Sequence, residues 1–566
     1  MHDQISQNFQ AKVLAAGAAL ITIVVVSGSV TDPVNVPKLL ALGVIATASM
    51  GITMFSTLRA RLSENKLAVL GAILFFAALI NSVIFSNSPL TQNIYGAYGR
   101  NNGILTYVFL IFLFLGGLTL RDAAGFRRVV TGLIVAGLVN LFYCLWVIVF
   151  GDFVGWSNPY GNILGTFGNP NFIGSFFGMF FAGYIATLLI KPVKKLYSYS
   201  ALFVVPLTGF AIVKSNAIQG RVVAAMGLVI VGFYFIRSRY KNSVLIGYSL
   251  AATVTGFFAL LGALQIGPLT ALIYKTSVSL RGQYWLAGWN TGESHPLTGV
   301  GMDAFGDWYR RARDEHALGL PGVNTVVNAA HNVPLDMYAF GGWPLFITYL
   351  SLVGLTLMAI IRTTIHQKTY DPIFVSLTVA WFGYQLQSII SINQIGLAIW
   401  GWILSGCLIA YDSKRRKSSA EEPISKTSRG KNLNKKKNSE QLHLPLVATI
   451  GAIVGLIIAL PPFSADAKWR SAQLTQTAPP LEASLQSSYF NPSNSMKYLT
   501  TIQIYEENRL FDLAHKAALQ AVEWNPEAFE LWKVLYLLQQ TTPEERATAL
   551  WNMKRLDPLN PDVAAR

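Results

Sequence analysis

The chain has 566 residues, of which 52% are hydrophobic and only 13% are charged. Soluble domains carry about 25% charged residues, so this composition excludes an ordinary soluble enzyme and indicates a membrane protein. The net charge of +16 would suit nucleic acid, but the basic residues lie in short clusters between apolar runs, as in the loops of membrane proteins. We therefore expect membrane lipid, and no nucleic acid, as a partner.

Long apolar runs recur along the chain, and a run of about 20 residues is enough to cross the hydrocarbon core of a bilayer. A span must satisfy its own backbone hydrogen bonds in lipid, so runs without strand-like alternation predict helices. The sequence thus predicts an all-α, polytopic membrane protein of about 12–13 transmembrane helices. In chain order the runs lie near 12–30, 37–57, 67–85, 103–120, 129–150, 171–190, 198–213, 222–236, 243–265, 338–361, 372–391, 394–411 and 444–463.

Charge between the runs predicts the orientation in the membrane. With the N-terminus in the cytoplasm, alternation of sides puts five short basic loops in the cytoplasm, as the positive-inside rule requires. The polar, lysine-rich segment 412–443 then becomes a basic cytoplasmic linker, predicted to be disordered and able to rest on anionic lipid. We expect a multi-pass protein of the cell (inner) membrane. The five basic loops lie at 59–66, 121–128, 191–195, 237–241 and 362–368.

Residues 464–566 follow the last predicted span, 444–463, and differ in character from the rest of the chain. Asn525-Pro526 and Asp557-Pro558 recur about 32 residues apart after small residues at helical spacing, close to the period of tetratricopeptide helix pairs. The predicted topology makes this segment a helical-repeat domain outside the cytoplasm. It either presents a groove to a protein partner or forms a packed cap without one.

The loops predicted to lie outside the cytoplasm are rich in glycine, asparagine and aromatic residues. The loop near 151–170 has the composition of tight turns that cup a polar ligand. The largest such segment, about 266–337, combines aromatic residues with isolated arginine and histidine. Aromatic rings stack on sugars and guanidinium groups grip phosphate oxygens, so this pattern indicates a sugar and phosphate site.

Five motifs in these loops carry a family resemblance. In their order and loop positions they resemble the O-antigen ligase and polymerase family, over about residues 90–410. The resemblance implies a glycosyltransferase that moves a glycan from undecaprenyl diphosphate to an acceptor hydroxyl or amide outside the cytoplasm. It also implies no cofactor and no obligatory metal. The motifs are GTFGNPNFIG at 165–174, IQGR at 218–221, RGQYWLAGW at 281–289, PLTGVGMDAFG at 296–306 and AHNVPLDMYAFGG at 330–342.

The resemblance implies three catalytic residues. Arg221 and Arg281 would stabilise the leaving pyrophosphate, and His331 would take the proton of the acceptor. Each has another interpretation: Arg221 as an arginine that reaches lipid headgroups, Arg281 as part of an interfacial helix anchored by aromatics, and His331 as an interfacial histidine bonded to backbone carbonyls. Single displacement at the anomeric carbon would invert its configuration, although the sequence does not exclude a covalent route.

Five further residues are expected to bind substrate. Arg100, in YGAYGRNNG, is either a phosphate ligand or a solvated loop arginine. The others lie in or beside the motifs: Asn169, Asn171, Trp285 and Asn332.

No metal site is expected from the sequence. His295, His316, Asp303 and Asp307 lack the spacing of metal ligands and are interpreted as loop residues. The two cysteines, at 144 and 407, lie inside apolar runs, where a thiol acts mainly as a small hydrophobic group.

Three functions remain open at this stage. A ligase would transfer a whole glycan from its carrier to a lipid, protein or wall-polymer acceptor. A polymerase would join repeat units on the carrier with similar chemistry. A transporter or scaffold is the third possibility, although neither an internal repeat of the membrane spans nor a charge in the middle of a span supports it.

Overall fold

The computed structural model describes residues 2–189, 195–420 and 437–565, and within them the regular structure is helical apart from one isolated bridge between Ser488 and Asn491. The first helices are α1 His2–Ile23, α2 Asn35–Met54, α3 Arg59–Leu62, α4 Lys66–Ile84, α5 Leu90–Tyr95, α6 Ile104–Leu118, α7 Ala123–Phe150, α8 Pro170–Leu188 and α9 Lys195–Lys214. They are followed by α10 Ile218–Arg239, α11 Asn242–Ala263, α12 Thr270–Ile273, α13 Thr276–Ser294, α14 Phe305–Ala312, α15 Val333–His366, α16 Pro372–Ile390 and α17 Ile395–Ala420. The last are α18 Lys437–Thr475, α19 Ala478–Leu485, α20 Ser495–Glu507, α21 Phe511–Trp524, α22 Phe529–Leu537, α23 Pro543–Leu556 and α24 Pro561–Ala564.

Ten helices of the described ranges are long and apolar enough to cross a membrane. This confirms the predicted all-α, polytopic membrane protein. The other three predicted spans are helices as well: α6 and α9 are shorter apolar helices, and α1 carries several glutamines and a lysine in its first half. The ten are α2, α4 with the short turns before it, α7, α8, α10, α11, α15, α16, α17 and α18.

The loops of the bundle gather at two opposite ends. At the first end, which we name the basic end, Arg121 pairs with Glu64 at 3.0 Å. At the second end, which we name the loop end, the Asn102 side chain donates to the Asn393 carbonyl at 2.9 Å. The described helices thus alternate between the ends as the charge pattern predicts; which end faces the cytoplasm stays a prediction. The basic end carries loops 55–65, 119–122, 240–241 and 367–371, and the loop end carries 85–103, 151–169, 264–332 and 391–394.

The predicted disordered linker, 412–443, is shorter in the structure. Helix α17 continues to Ala420 because Asp412 pairs with Arg415 and Arg416, three and four residues later on the same helical face. Helix α18 already begins at Lys437. The remainder of the predicted linker, 421–436, lies outside the described residues, as do residues 190–194 of one predicted basic loop.

A buried lysine fixes the first two helices at the loop end. The Lys38 ammonium, fully buried in α2, donates to the carbonyls of Ile21, Thr22 and Val24 at 3.0, 2.7 and 3.0 Å. These carbonyls lie at the end of α1, where helical donors are lacking and the helix dipole favours a cation. Lys38 therefore caps α1 from a neighbouring helix.

The last span leads directly into the C-terminal helices. Pro461 in α18 has no N–H for the carbonyl of Ile457, and the Tyr489 hydroxyl donates to that carbonyl instead, at 2.8 Å. Beyond it, α20 packs on α21 and α22 packs on α23, with pairs beginning at Ser495 and Phe529, close to the roughly 34-residue tetratricopeptide period. The assignment to tetratricopeptide repeats stays a prediction.

Candidate active site

His331 lies between aromatic residues of α13 and the start of α15. Its ring lies on that of Tyr284, with centroids 5.3 Å apart and planes at 32°. The Trp285 indole donates to the His331 carbonyl at 3.4 Å. Asn332 caps α15, because its side chain accepts the Leu335 N–H at 3.1 Å. Trp285 of α13 therefore contacts the His331-Asn332 segment, which lies 46 residues later in the chain.

The backbone at His331 is held in an uncommon conformation. His331 has a φ of 54°, a left-handed value that few non-glycine residues adopt. The preceding amide, of Ala330, donates to the Asp336 carboxylate at 2.7 Å, and a Cβ added at Gly288 of α13 would lie only 2.8 Å from the Ala330 side chain. Close contact with α13 and the bond to Asp336 thus fix the direction of the His331 side chain.

A break in α15 joins two of the sequence motifs. At Gly342 the backbone leaves the helical conformation, with a φ of 63°, so carbonyls before it lose their helical donors. The Val300 amide donates to the Ala339 carbonyl at 2.9 Å and the Gly301 amide to the Phe340 carbonyl at 3.1 Å. The motifs at 296–306 and 330–342 therefore pair by backbone hydrogen bonds, and the short first part of α15 is held beside the loop that begins at Pro296.

Arg281 lies on α13, about one helical turn before Tyr284. Its Nε donates to the Ile390 carbonyl at 2.7 Å, and its Nη1 donates to the Ser277 carbonyl at 2.9 Å. Ile390 is the last residue of α16, so Arg281 caps that helix terminus. Nη2 takes no part in these bonds. Burial lowers the pKa of Arg281, but a guanidinium remains charged at neutral pH.

Arg100 is half-buried in the loop between α5 and α6, with its Nη1 atom fully enclosed. Its Nη1 has no hydrogen-bond partner among the described residues. Burial lowers the pKa of Arg100, and the charges of Asp303 and Asp336 oppose that shift. The enclosed Nη1 favours a phosphate ligand over a solvated loop arginine, and this role of Arg100 stays a prediction. A buried donor without a partner costs free energy, which an anion bound at this position would recover.

The two arginines act on His331 electrostatically. Burial, and then the charges of Arg100 and Arg281, lower the pKa of His331 to about 3. The imidazole is consequently neutral near pH 7 and has a free lone pair on one ring nitrogen. Arg100 and Arg281 therefore lie close enough to His331, at the loop end, for their charges to act on its ring.

Arg221 stands apart from this group. It lies in the first turn of α10 with an exposed side chain, and it makes no hydrogen bond or ion pair within the described ranges. Gln219, two residues earlier, donates to the Ile390 carbonyl at 3.4 Å, the same carbonyl that accepts from Arg281. The start of α10 thus lies at the helix terminus that Arg281 caps, whereas the Arg221 side chain itself makes no contact there, and its role in binding phosphate stays a prediction.

Asn169 and Asn171 form the start of α8. The Asn169 side chain accepts the Asn171 amide at 2.9 Å and donates to the Tyr160 hydroxyl at 3.2 Å. Farther along α8, a Cβ at Gly220 of α10 would lie 2.6 Å from the Gly174 carbonyl oxygen, so the two helices touch at their glycines. The motif at 165–174 therefore positions the first turn of α10, and substrate binding by the two asparagines stays a prediction.

Two important residues were not assigned a role from the sequence. The Asp303 carboxylate accepts the amides of Ala97 and Asn102 at 2.8 and 3.2 Å, which folds the loop around Arg100. Tyr284 supports the His331 ring. Tyr284 lies three residues after Arg281 and so on the same helical face, a spacing that could have identified it. No local pattern marks Asp303 as the organiser of a loop some 200 residues away.

The arrangement of possible metal ligands can be described for the same residues. Within the described ranges no group of three or more His, Cys, Asp or Glu side chains is arranged to hold a metal ion. Cys144 and Cys407 are both free and buried.

The comparison with known families bears on this same region. Residues 201–350 match the family model described as O-Antigen ligase. The matched segment contains Arg221, Arg281 and His331, and it ends before the C-terminal helices. It supports the O-antigen ligase family for this chain. No curated protein matches the sequence.

Proposed function

We propose that this protein is a membrane glycosyltransferase that moves a glycan from an undecaprenyl-diphosphate carrier to an acceptor hydroxyl or amide outside the cytoplasm. The match over residues 201–350 supports membrane glycan transfer of the O-antigen ligase type. The lipid-diphosphate donor follows from the family resemblance, transfer outside the cytoplasm follows from the charges of the loops, and the chemical steps follow from the site at the loop end.

The observation that carries the proposal is the enclosed, unpartnered Nη1 of Arg100, an arginine that together with Arg281 acts electrostatically on His331. A guanidinium nitrogen without a partner in a buried position favours an anion, and a second guanidinium lies near enough to act on the same imidazole. A diphosphate offers several oxygens to two such groups. The neutral His331 completes a site with places for a leaving diphosphate and for a proton.

The leaving group is the first requirement of the reaction. When the bond between the anomeric carbon and the diphosphate oxygen breaks, its electron pair stays on the diphosphate. Arg281 is fixed by its two carbonyl contacts and needs little reorganisation to stabilise the developing charge. Arg100 contributes its unpartnered Nη1, and Arg221 is assigned to the membrane side of the same diphosphate.

The acceptor is the second requirement. Its oxygen or nitrogen forms the new bond to the anomeric carbon, and its proton passes to the neutral ring nitrogen of His331. A bound diphosphate adds negative charge near the imidazole and so raises the pKa of His331 above its value in the free protein. His331 thus becomes a stronger base once the donor is bound. One displacement of this kind inverts the anomeric configuration.

Substitution of His331 tests the proposal. With purified protein in lipid nanodiscs, a glycan on undecaprenyl diphosphate and an acceptor, His331→Ala should lower turnover by about 10²–10⁴-fold while donor binding is kept. His331→Gln should be nearly as damaging, because an amide does not take up a proton. His316→Ala is the matched control, since His316 lies on the same loop with 86% of its side chain exposed. Full activity of His331→Gln would reduce His331 to a hydrogen-bonding role and remove the proposed base.

A ligase and a polymerase would share this site. Mass analysis of surface glycans in cells with and without the gene separates them, because loss of a ligase leaves chains unattached, whereas loss of a polymerase shortens them. Transport is disfavoured because Arg100, Arg281 and His331 cluster at one end of the bundle rather than along a path through it.

A further inference from the structure

The C-terminal helices bind the loop end through buried ion pairs. Asp557, which follows α23, pairs with Arg310 at 2.9 Å and with Arg313 at 2.7 Å. The side chains of Asp557 and Arg313 have 0% exposure and that of Arg310 has 3%. Glu530 accepts from the second Nη of Arg310, and Arg311 pairs with Glu527 nearby. One carboxylate is therefore enclosed between two arginines of the loop that contains α14.

Charges buried to this degree require their partners. Removing a single member of a buried pair leaves a desolvated charge, which is strongly unfavourable, whereas an exposed pair contributes little. Without Asp557, Arg313 loses its carboxylate partner and Arg310 keeps only the pair with Glu530, so both arginines are expected to change conformation. The docking of the C-terminal helices and the geometry of α14 are thus coupled.

The same two arginines also hold the segment that leads to His331. Arg310 and Arg313 donate to the Val323 carbonyl at 3.1 and 2.8 Å. Val323 opens the stretch 323–332, whose other end is fixed by the bond from Ala330 to Asp336. The end near His331 is thus held by Asp336 of α15. The other end, at Val323, is held by Arg310 and Arg313, whose charges pair with Asp557.

We propose that the docked C-terminal domain helps to set the geometry of the active site and that Asp557 is a positioning residue, which acts on the His331 segment through Arg310 and Arg313. The effect of Asp557 on catalysis rests on the proposed function, whereas its effect on the conformation of the 323–332 segment does not. The domain then contributes to catalysis itself, whether or not it also binds a partner protein.

The test compares Asp557→Asn with Glu482→Gln in the full chain. Asparagine keeps the shape of the side chain and removes its charge. Glu482 is the matched control, because it pairs with Lys516 inside the same domain and both side chains are exposed. Hydrogen–deuterium exchange of peptides covering 323–332 should become about tenfold faster or more in Asp557→Asn and should not change in Glu482→Gln.

Kinetics then distinguish positioning from a general loss of structure. Asp557→Asn should lower kcat by about 10- to 100-fold, the scale of a displaced catalytic group, with little change in the KM for donor, because Arg100 and Arg281 are held by other contacts. Unchanged exchange at 323–332 would overturn the proposal, and so would faster exchange with full transfer activity. The unsubstituted protein could also transfer no glycan while Asp557→Asn still shows faster exchange at 323–332. This result would support the link between Asp557 and the 323–332 segment and would reject only the proposed function.

A second variant covers the case in which Asp557→Asn does not fold. Arg313→Lys keeps a positive charge for Asp557 but loses the fork that reaches both the carboxylate and the Val323 carbonyl. Exchange at 323–332 should again be faster, while peptides from α20 and α21 keep their rates. Equal rates at 323–332 in the variant and the unsubstituted protein would contradict the proposed role of this contact.

Discussion

At His331, burial and two cations act on one imidazole ring. Each effect disfavours the protonated form and lowers the pKa of His331. The ring therefore stays neutral at acidic pH values at which an ordinary histidine is already protonated. A base with so low a pKa is weak until an anion arrives. The arginines that lower its pKa are the groups expected to bind that anion, so donor binding and base strength are coupled at the level of single residues.

The pH dependence of transfer should show this coupling. Because kcat/KM reports the free enzyme, protonation of His331 should cause no loss between pH 8 and pH 5, since its pKa is about 3. The acid limb of kcat should lie at higher pH, because the bound diphosphate raises the pKa. Arg100→Gln removes a cation and should move the acid limb of kcat/KM to higher pH. A direct titration of the His331 ring by NMR in the donor-free, unsubstituted protein that gave a pKa of about 6.5 would contradict the environment described here.

Arg281→Lys should be far from conservative. Lysine keeps the charge but lacks a fork that can donate to the Ile390 carbonyl and still present a second nitrogen to an anion. We expect transfer to fall by about 10²–10³-fold, the range for loss of one preorganised donor, without loss of folded protein. Arg237→Lys is the control, because Arg237 donates to the Thr364 and Ile365 carbonyls at the basic end. Equal effects of the two substitutions would indicate that helix capping alone matters at position 281.

Residue types and motif order predicted much of the cluster around His331. Arg281, Trp285, His331 and Asn332 were all expected and lie together. The burial of Arg100 was not predictable, because it depends on Asp303, which folds the Arg100 loop from a distant part of the chain. The conformation of His331, with its positive φ, likewise has no signature in the sequence.

Among the elements, α15 shows how a span can be interrupted to build a site. Its apolar run predicted a span near 338–361, but the helix begins at Val333 and breaks at Gly342. The free carbonyls of the break receive the amides of Val300 and Gly301. Hydrophobicity locates such a span well, whereas the break depends on loop contacts that a run of apolar residues does not encode.

Gly342→Ala should therefore destabilise the protein. Gly342 has a φ of 63°, and an added Cβ would collide with the Pro296 carbonyl. We expect a loss of about 1–3 kcal/mol, measured as a lower thermal midpoint in detergent, with reduced transfer. Gly354→Ala on the same helix is the control, because a Cβ there has open space; it should be neutral or slightly stabilising. A midpoint unchanged by Gly342→Ala would show that the break tolerates a side chain.

For the whole molecule, charge and hydrophobicity predicted a bundle whose loops alternate between two ends, and the described helices have that arrangement. They did not predict how the C-terminal domain docks. Arg310 and Asp557 are 247 residues apart, and a pair so distant has no periodic signal in the sequence. Because this ion pair fixes the C-terminal domain at the loop end, the side of the membrane on which the domain lies must also be the side of the site.

The topology can be tested with single cysteines. The positive-inside rule places the basic end in the cytoplasm and hence the loop end, with the C-terminal domain, outside. Ser63 at the basic end and Ser487 in the C-terminal domain are exposed, and the two native cysteines are buried, so Ser63→Cys and Ser487→Cys each add one reactive thiol. In intact cells a membrane-impermeant maleimide should label Ser487→Cys and leave Ser63→Cys unlabelled until the membrane is opened. The reverse pattern would place His331 in the cytoplasm and reject transfer on the outer face, whereas labelling of neither in intact cells would be inconsistent with two ends on opposite sides.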